Sequence, residues 1–402
     1  MAQHSSFSHV EAFAGDPILA LTEMFVQDTK PNKVNLGIGI YYDNNSKIPV
    51  LDGVKQAEKE MLERNAAKSY LPIEGLSTYR SAIQNILFGA TSQAVTNKRI
   101  ATIQTIGGSG ALKVGADFLK RYFPEMQVWI SDPSWDNHRA IFEGAGFTVN
   151  TYPYYDAKTG GLNFDGMLAT LDQLPKNSLV LLHACCHNPT GVDLNMAQWQ
   201  SVLNIVKKRE LVAFMDIAYM GFGDGTVEDC APIRLFTEAG VSFFVANSFS
   251  KNFSVYGERC GGLSVVCSDS DEASRVLGQL KFTIRRNYSS PPMHGAHIVA
   301  TVLNDAALNA AWQNDLAQMR ERIKAMRVKL REILEAKVAG RSFEYMTTQR
   351  GMFSYTGLSP EQVDRLKNEF GIYLVRSGRM CVAALNEQNI TYVANSIAAV
   401  LS

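Results

Sequence analysis

The sequence predicts an α/β protein: a large domain built on a mostly parallel seven-stranded sheet between helices, plus a smaller α+β domain. Three observations carry this. Seven short apolar runs fall between residues 99 and 267. Amphipathic stretches such as "MAQWQSVLNIVKKREL" (196–211) separate several of them. Beyond residue 305 the pattern changes to one long amphipathic repeat and a short mixed tail.

The runs, in order, are "RIATIQTIG" (99–107), "VWIS" (128–131), "FTVNTYP" (147–153), "SLVLLHA" (178–184), "LVAFMD" (211–216), "FFVANS" (243–248) and "GLSVVC" (262–267). They are continuously apolar rather than alternating. Such strands are buried on both faces, as in a parallel sheet covered by crossover helices. Leu308, Trp312, Leu316, Met319, Ile323, Met326, Leu330 and Ile333 then recur at spacings of three and four. That predicts one helix of roughly 30 residues, about 45 Å long, bridging two domains. Gly340 lies shortly beyond its expected end. The tail, with "GMFSYTG" (351–357) and "VDRLKNEFGIYLVRSGRMCVAAL" (363–385), reads as the smaller α+β unit.

Composition bounds the function. The 402 residues are 46% hydrophobic and 19% charged, ordinary for a soluble globular chain with a large core. Lys+Arg and Asp+Glu are both 39, so no basic surplus argues for nucleic acid or an anionic membrane. The opening "MAQHSSFSHVEAFAG" has no apolar signal core, and no run approaches the roughly 18 apolar residues of a membrane span. Six cysteines, with no CxxC pair, read as reduced thiols of a cytoplasmic protein.

In open parallel sheets ligands bind beyond the carboxyl ends of the strands. The polar residues expected there are Gly107-Gly108-Ser109-Gly110, Trp135, Asn188, Asp216, Tyr219 and Lys251. The "GGSG" stretch precedes a helical pattern, so its free N–H groups could hold an anion; a tight strand–helix turn reads the same way. It does not match the GxGxxG dinucleotide fingerprint. Arg259 and Ser248 could serve the same anion. Asp216 alone would be a cap, and Tyr219 and Trp135 alone would be packing residues. Together with Lys251 they meet the needs of pyridoxal phosphate: an amine for its aldehyde, a carboxylate for its ring nitrogen, donors for its phenolate, a ring to stack on, and a phosphate cradle.

Eight motifs then carry a resemblance over nearly the whole chain: "YLPIEGL" (70–76), "TIGGSGAL" (105–112), "DPSWDNH" (132–138), "HNPTG" (187–191), "DIAYMGFG" (216–223), "NSFSKNFSVYGERCGG" (247–262), "RRNYSSPP" (285–292) and "SGRMCVA" (377–383). The sequence resembles the class I aminotransferases of the pyridoxal-phosphate fold type I superfamily, and most nearly the bacterial aromatic-amino-acid (tyrosine) branch of the aspartate aminotransferase group. The resemblance implies a homodimer and a ping-pong exchange of amino groups with 2-oxo acids. It makes Lys251 the cofactor-binding lysine and proton carrier. It pairs Asp216 with the ring nitrogen, Tyr219 and Asn188 with the phenolic oxygen, and Trp135 with the ring face. Gly108, Ser109, Ser248 and Arg259 are implied for the phosphate, with Tyr70 reaching it from the neighbouring subunit. Arg379 is implied for the substrate α-carboxylate, Gly39 for closure over the substrate, and the neighbour's Arg285 for a second carboxylate. His138 and His183 would sit behind the ring and Asp216, which leaves the metal-like spacing of "HACCH" (183–187) accidental and no metal expected.

The resemblance also implies cis bonds before Pro133 and Pro189, and a division into an N-terminal arm (1–14), a small domain from 15–47 and 318–402, and a large domain (48–317). Ser290 and Gly107 depart from the aspartate-specific pattern, which usually has asparagine and serine there; both changes bear on substrate. Three other readings compete: a narrow aspartate aminotransferase, a non-catalytic module that kept the fold, and a nicotinamide dehydrogenase. The missing fingerprint argues against the last, and the presence of Lys251 and Arg379 against the second.

Overall fold

A computed structural model describes residues 5–13 and 15–402. The expected arm therefore lies partly outside the described residues. All seven apolar runs form strands of one sheet: β1 (Ile100–Ile106), β2 (Val128–Asp132), β3 (Val149–Pro153), β4 (Leu179–His183), β5 (Val212–Ile217), β6 (Phe243–Ser248) and β7 (Cys260–Val266). Their spatial order is β1-β7-β6-β5-β4-β2-β3. Every pairing is parallel except those of β7, which runs against both β1 and β6.

The apolar runs are continuous because the sheet has a core on each side. Leu179 and Leu181 of β4 pack into one apolar cluster, and the alternate Val180 and Leu182 into the other. Register then places the chemistry. His183 pairs with Asp216 and Asp216 with Ala246, so the carboxyl ends of β4, β5 and β6 lie side by side. The reversed β7 starts at that edge, with Gly261 opposite Ser248 and Cys260 opposite Ile106. Arg259, which precedes it, is thereby delivered to the same edge.

The "GGSG" stretch is not a loop. The helix Gly107–Tyr122 begins directly after β1, so these residues form its first turn. Gly107 has φ +63°, a conformation costly for a residue with a side chain. The long amphipathic repeat is the helix Ala306–Lys337, 32 residues. Six of its eight expected positions are fully buried, while Leu308 and Ile333 are partly covered at the ends. Gly340 follows with φ +75°. An N-terminal segment joins the C-terminal part: Val34–Asn35 pairs in parallel with Ile372–Tyr373, and Phe353–Tyr355 pairs antiparallel with Arg379–Cys381. The Asp132–Pro133 and Asn188–Pro189 bonds are both cis, as expected.

Where β7 crosses the helix start there is no room for a methyl group. A Cβ on Gly261 would lie 2.4 Å from the carbonyl carbon of Gly107 and 2.8 Å from the carbonyl oxygen of Asn247. Both are backbone atoms, so no rotamer change relieves the clash. Gly261→Ala is expected to destabilise the fold by about 2 kcal/mol or more and to displace the helix start at Gly107. Thermal melting with and without cofactor checks this; an unchanged melting point contradicts it.

Candidate active site

The common edge of β1, β4, β5, β6 and β7 closes around a cavity of about 230 Å³. Lys251, Asp216, Tyr219, Asn188 and Trp135 all line it. So do Gly108, Ser109, Ser248 and Arg259 on the anion side, and Gly39 and Arg379 on the other. Eleven of the thirteen residues expected in the site are thus brought together within one chain.

Asp216 is buried at the end of β5. Its Oδ2 accepts a 2.8 Å hydrogen bond from His138 Nε2, and its Oδ1 has no partner. Burial works against its charge. The His138 hydrogen bond, with the positive charge of nearby Lys251, outweighs burial, so its pKa lies below the usual value. A charged carboxylate with one oxygen unsatisfied is set for a cationic N–H. His183 lies behind it, its ring 5.0 Å from that of His138. Burial, reinforced by His138, pushes His183 down to about 3 against the pull of Asp216, so it stays neutral.

Lys251 stands in the turn that leaves β6, and its Nζ lies 5.1 Å from the centre of the Tyr219 ring. Burial lowers its pKa to about 8; Asp216 opposes this and Arg259 adds to it. The amine is therefore far more often neutral at physiological pH than a solvated lysine. The Tyr219 hydroxyl is raised, chiefly by burial, and so stays protonated as a donor.

The anion side is assembled from three elements. Arg259 adopts φ +55°, and its Nη1 donates to the carbonyl of Tyr256 at 3.0 Å and to Ser250 Oγ at 3.4 Å. A Cβ on Gly107 would fall 2.6 Å from Arg259 Nη2, and one on Gly108 3.3 Å from Ser248 Cβ. Glycine at both positions lets the helix start, the hydroxyl and the guanidinium converge.

On the opposite side Arg379 is buried. Its Nη2 donates to Gly37 O at 2.6 Å and its Nη1 to Asn188 Oδ1 at 3.2 Å, while its Nε has no partner. Its guanidinium carbon sits 4.4 Å over the Phe353 ring. No salt bridge neutralises it among the described residues. A buried cation without a counter-charge is a site for an anionic ligand.

Tyr70 and Arg285 are not brought to this cavity. Tyr70 is 93% exposed. Arg285 lies exposed in the last turn of the helix Ser270–Asn287, bonded to Ser289 Oγ. Ile18 and Phe353 also line the cavity. Ser250 was legible only as a polar neighbour of Lys251, and Phe353 only as part of "GMFSYTG". Neither motif says what its side chain will meet. In "HACCH", His187 is consumed by Ser131 at 2.9 Å and Thr190 at 2.8 Å and stacks on Tyr154. Cys185, Cys186 and Asp229 lie close together. Both oxygens of Asp229, however, already accept N–H groups from Gly221, Gly223 and Asp224.

The family description "Aminotransferase class I and II" matches residues 31–397. The chain belongs to this family. It is 58% identical over 396 residues to an aromatic-amino-acid aminotransferase of Escherichia coli K12, covering 98% of this chain and all of that one. It is 53% identical over 397 residues to an aspartate aminotransferase of Pseudomonas aeruginosa, covering 99% and 100%. Among solved structures, an aromatic-amino-acid aminotransferase from Burkholderia pseudomallei, covalently bound to pyridoxal phosphate, superposes with a TM-score of 0.97 at 55% identity, covering 99% of this chain and 100% of that one.

The lowered pKa of Lys251 has a direct readout. Condensation with an aldehyde needs the neutral amine, whose fraction grows as pH rises through the pKa. The apoenzyme should capture pyridoxal phosphate at a rate that rises with pH and levels off above about 8. Stopped-flow absorbance measures this. A rate still climbing at pH 10, as for an unshifted lysine, contradicts the assigned environment. Lys251→Ala should show no covalent capture at any pH.

Proposed function

We propose that this pyridoxal-phosphate-dependent transaminase moves the amino group of phenylalanine, tyrosine or tryptophan, and also of aspartate, to 2-oxoglutarate by a ping-pong exchange. The observation that carries this is the cavity holding both a buried lysine of lowered pKa and a charged, half-satisfied carboxylate. These fit the cofactor's aldehyde and ring nitrogen, and the glycine-lined turn beside Arg259 fits its phosphate. When bound, the cofactor supplies the aldehyde and a protonated ring that takes up the electron pair left by the α-C–H bond.

The chain's own residues do the rest. Lys251 Nζ would take up the substrate α-proton and deliver it across the transferred nitrogen to the carbon that was the cofactor's aldehyde, as base and then acid. Asp216, held charged by His138, keeps the ring nitrogen protonated. Tyr219 and Asn188 donate to the phenolic oxygen, and Trp135 covers one ring face. Gly108, Ser109, Ser248 and Arg259 hold the phosphate. Arg379 pairs with the α-carboxylate of every substrate, with Gly39 closing beside it.

Tyr70 and Arg285 are proposed to serve the site of a second copy in a homodimer. Both are exposed and far in function from their own cavity, which supports that reading. The small domain is proposed to comprise residues 15–47 and 318–402 against a large domain of 48–317; the pairing of Val34–Asn35 with Ile372–Tyr373 supports it. A cytoplasmic location is supported by six free, buried cysteines. No helix of the described residues is long and apolar enough to cross a membrane.

Co-expression tests the shared site. An Arg379→Ala chain and an Arg285→Ala chain are each expected to be poor with aspartate. In a mixed dimer one site carries both lesions and the other carries none, so aspartate activity returns. If each chain builds its own site, mixing restores nothing.

Substrate choice turns on Arg285. The distal carboxylate of aspartate or 2-oxoglutarate needs a cation, while an aromatic ring needs that cation to leave; burying it unpaired would cost on the order of several kcal/mol. Arg285→Leu should cut kcat/KM steeply for aspartate and only mildly for phenylalanine; equal losses contradict the dual pocket. Comparing wild-type kcat/KM for phenylalanine, tyrosine, tryptophan and aspartate tests the proposed function itself. A preference for aspartate over phenylalanine of about a hundredfold, roughly 2.7 kcal/mol, would make the enzyme an aspartate aminotransferase.

A further inference from the structure

Arg327 lies in the middle of the long helix and is 2% exposed, an unusual place for a charge. No carboxylate pairs with it among the described residues. Its Nη1 donates to Met346 O at 2.9 Å, and its Nη2 donates to Gly351 O at 2.9 Å and to Phe353 O. Burial pushes its pKa down to about 10, so it remains charged at neutral pH. A buried cation is a poor way to gain stability, because an apolar side chain of similar volume packs without the desolvation cost. What a guanidinium adds is a rigid fork that fixes several acceptors at once.

Those acceptors belong to a strap, residues 346–353, that ends at the substrate side of the cavity. The Phe353 ring lies 4.4 Å from the Arg379 guanidinium and 5.6 Å from the Tyr219 ring. A Cβ on Gly39 would touch that ring at 2.8 Å. The strap also backs onto the turn that carries Asn188. Arg350 N–H donates to Gly191 O at 2.6 Å, and a Cβ on Gly191 would meet Phe353 O at 2.6 Å. Moving the Phe353 carbonyl therefore moves the ring that Arg379 rests on.

We infer that Arg327 is a positioning residue for substrate: by gripping the carbonyls of Met346, Gly351 and Phe353, it holds the Phe353 ring against Arg379, Gly39 and Tyr219. The inference rests on the proposed role of Arg379 in binding the α-carboxylate. Because that carboxylate is common to all donors, Arg327 acts on affinity for amino acids in general, not on the choice between them.

The test is a double-mutant cycle in the holoenzyme with Arg327→Met and Phe353→Leu. Arg327→Met should raise KM about tenfold for phenylalanine and for aspartate alike, with kcat changed less than about threefold, since the lost contact serves bound substrate and transition state equally. Cofactor absorbance should be unchanged. The double variant should be no worse in KM than Phe353→Leu alone, because the two residues act in series. Arg327→Lys should recover only part of the loss, as one ammonium does not reproduce the fork. If Arg327→Met does not fold, the same cycle run with Arg327→Lys decides the matter. Unchanged KM with only a lowered melting point, or KM effects that simply multiply, would overturn the inference. Failure of the proposed function would look different: the wild-type enzyme itself would then transaminate neither donor.

Discussion

The hydrogen bond between His138 and Asp216 is the interaction on which the rest of the site depends. A carboxylate at the end of a buried strand pays a large desolvation cost and would ordinarily be neutral. Here one donor at 2.8 Å, backed by nearby positive charge, is enough to keep it ionised. That leaves its second oxygen charged and unpaired. The same charge stabilises ammonium on Lys251, yet burial and Arg259 prevail and bring its pKa down to about 8. One carboxylate thus keeps an open, charged oxygen, as the proposed pairing with a cationic ring nitrogen requires, without trapping the base. His183 contributes by staying uncharged, since an imidazolium there would compete for the carboxylate.

Sheet topology explains how residues far apart in sequence reach one edge. In a purely parallel sheet Arg259, at the start of its strand, would sit at the opposite edge from Ser248. Reversal of β7 puts the two together and sets Gly107 against Arg259. Glycine at 107 then has two causes: a positive φ and a guanidinium 2.6 Å from any Cβ. A serine at 107 would have to hold the positive φ and displace the Arg259 guanidinium. The departure at Gly107, expected to bear on substrate, lies in the structure against the Arg259 guanidinium.

The parts of this fold that were legible share a physical basis. Strands buried on both faces must be apolar throughout, and a helix packed along one side must repeat at three and four, so both leave marks within a short window. Polar residues at strand ends stand out because nothing in the core tolerates them. Phe353, Ile18 and Arg327 left no such mark. Phe353 looks like any aromatic in a strand, and Ile18 like any apolar residue of an amphipathic helix. Arg327 falls between Met326 and Leu330 on the buried stripe, where a charge reads as a helix-surface residue until its acceptors, 19 to 26 residues onward, are known. The turn at 107–110 was legible as an anion site but not as the first turn of a helix, because glycine argues against helix on propensity and only packing overrides it. The assignment of Tyr70 and Arg285 came from resemblance alone, since exposure in one chain is what any surface residue shows.

The substrate side of the cavity joins two requirements that pull against each other. Arg379 must remain charged in a low-dielectric setting with no carboxylate of its own, so that the substrate supplies the counter-charge. Left alone it would recruit water or a neighbour. Instead it is held by Gly37 O, by Asn188 and by the face of Phe353, all of which are neutral. Neutral partners fix its direction and still leave its charge to be satisfied, whereas an aspartate there would bind it outright and close the site. A phenyl ring adds a surface that accepts a cation on its face and apolar contact at its edge. An aromatic substrate and a dicarboxylate both present the same α-carboxylate to this arrangement. On the proposed reading, discrimination then falls to the distal end of the substrate, where the solvent-facing guanidinium proposed for that position meets one class of side chain and not the other.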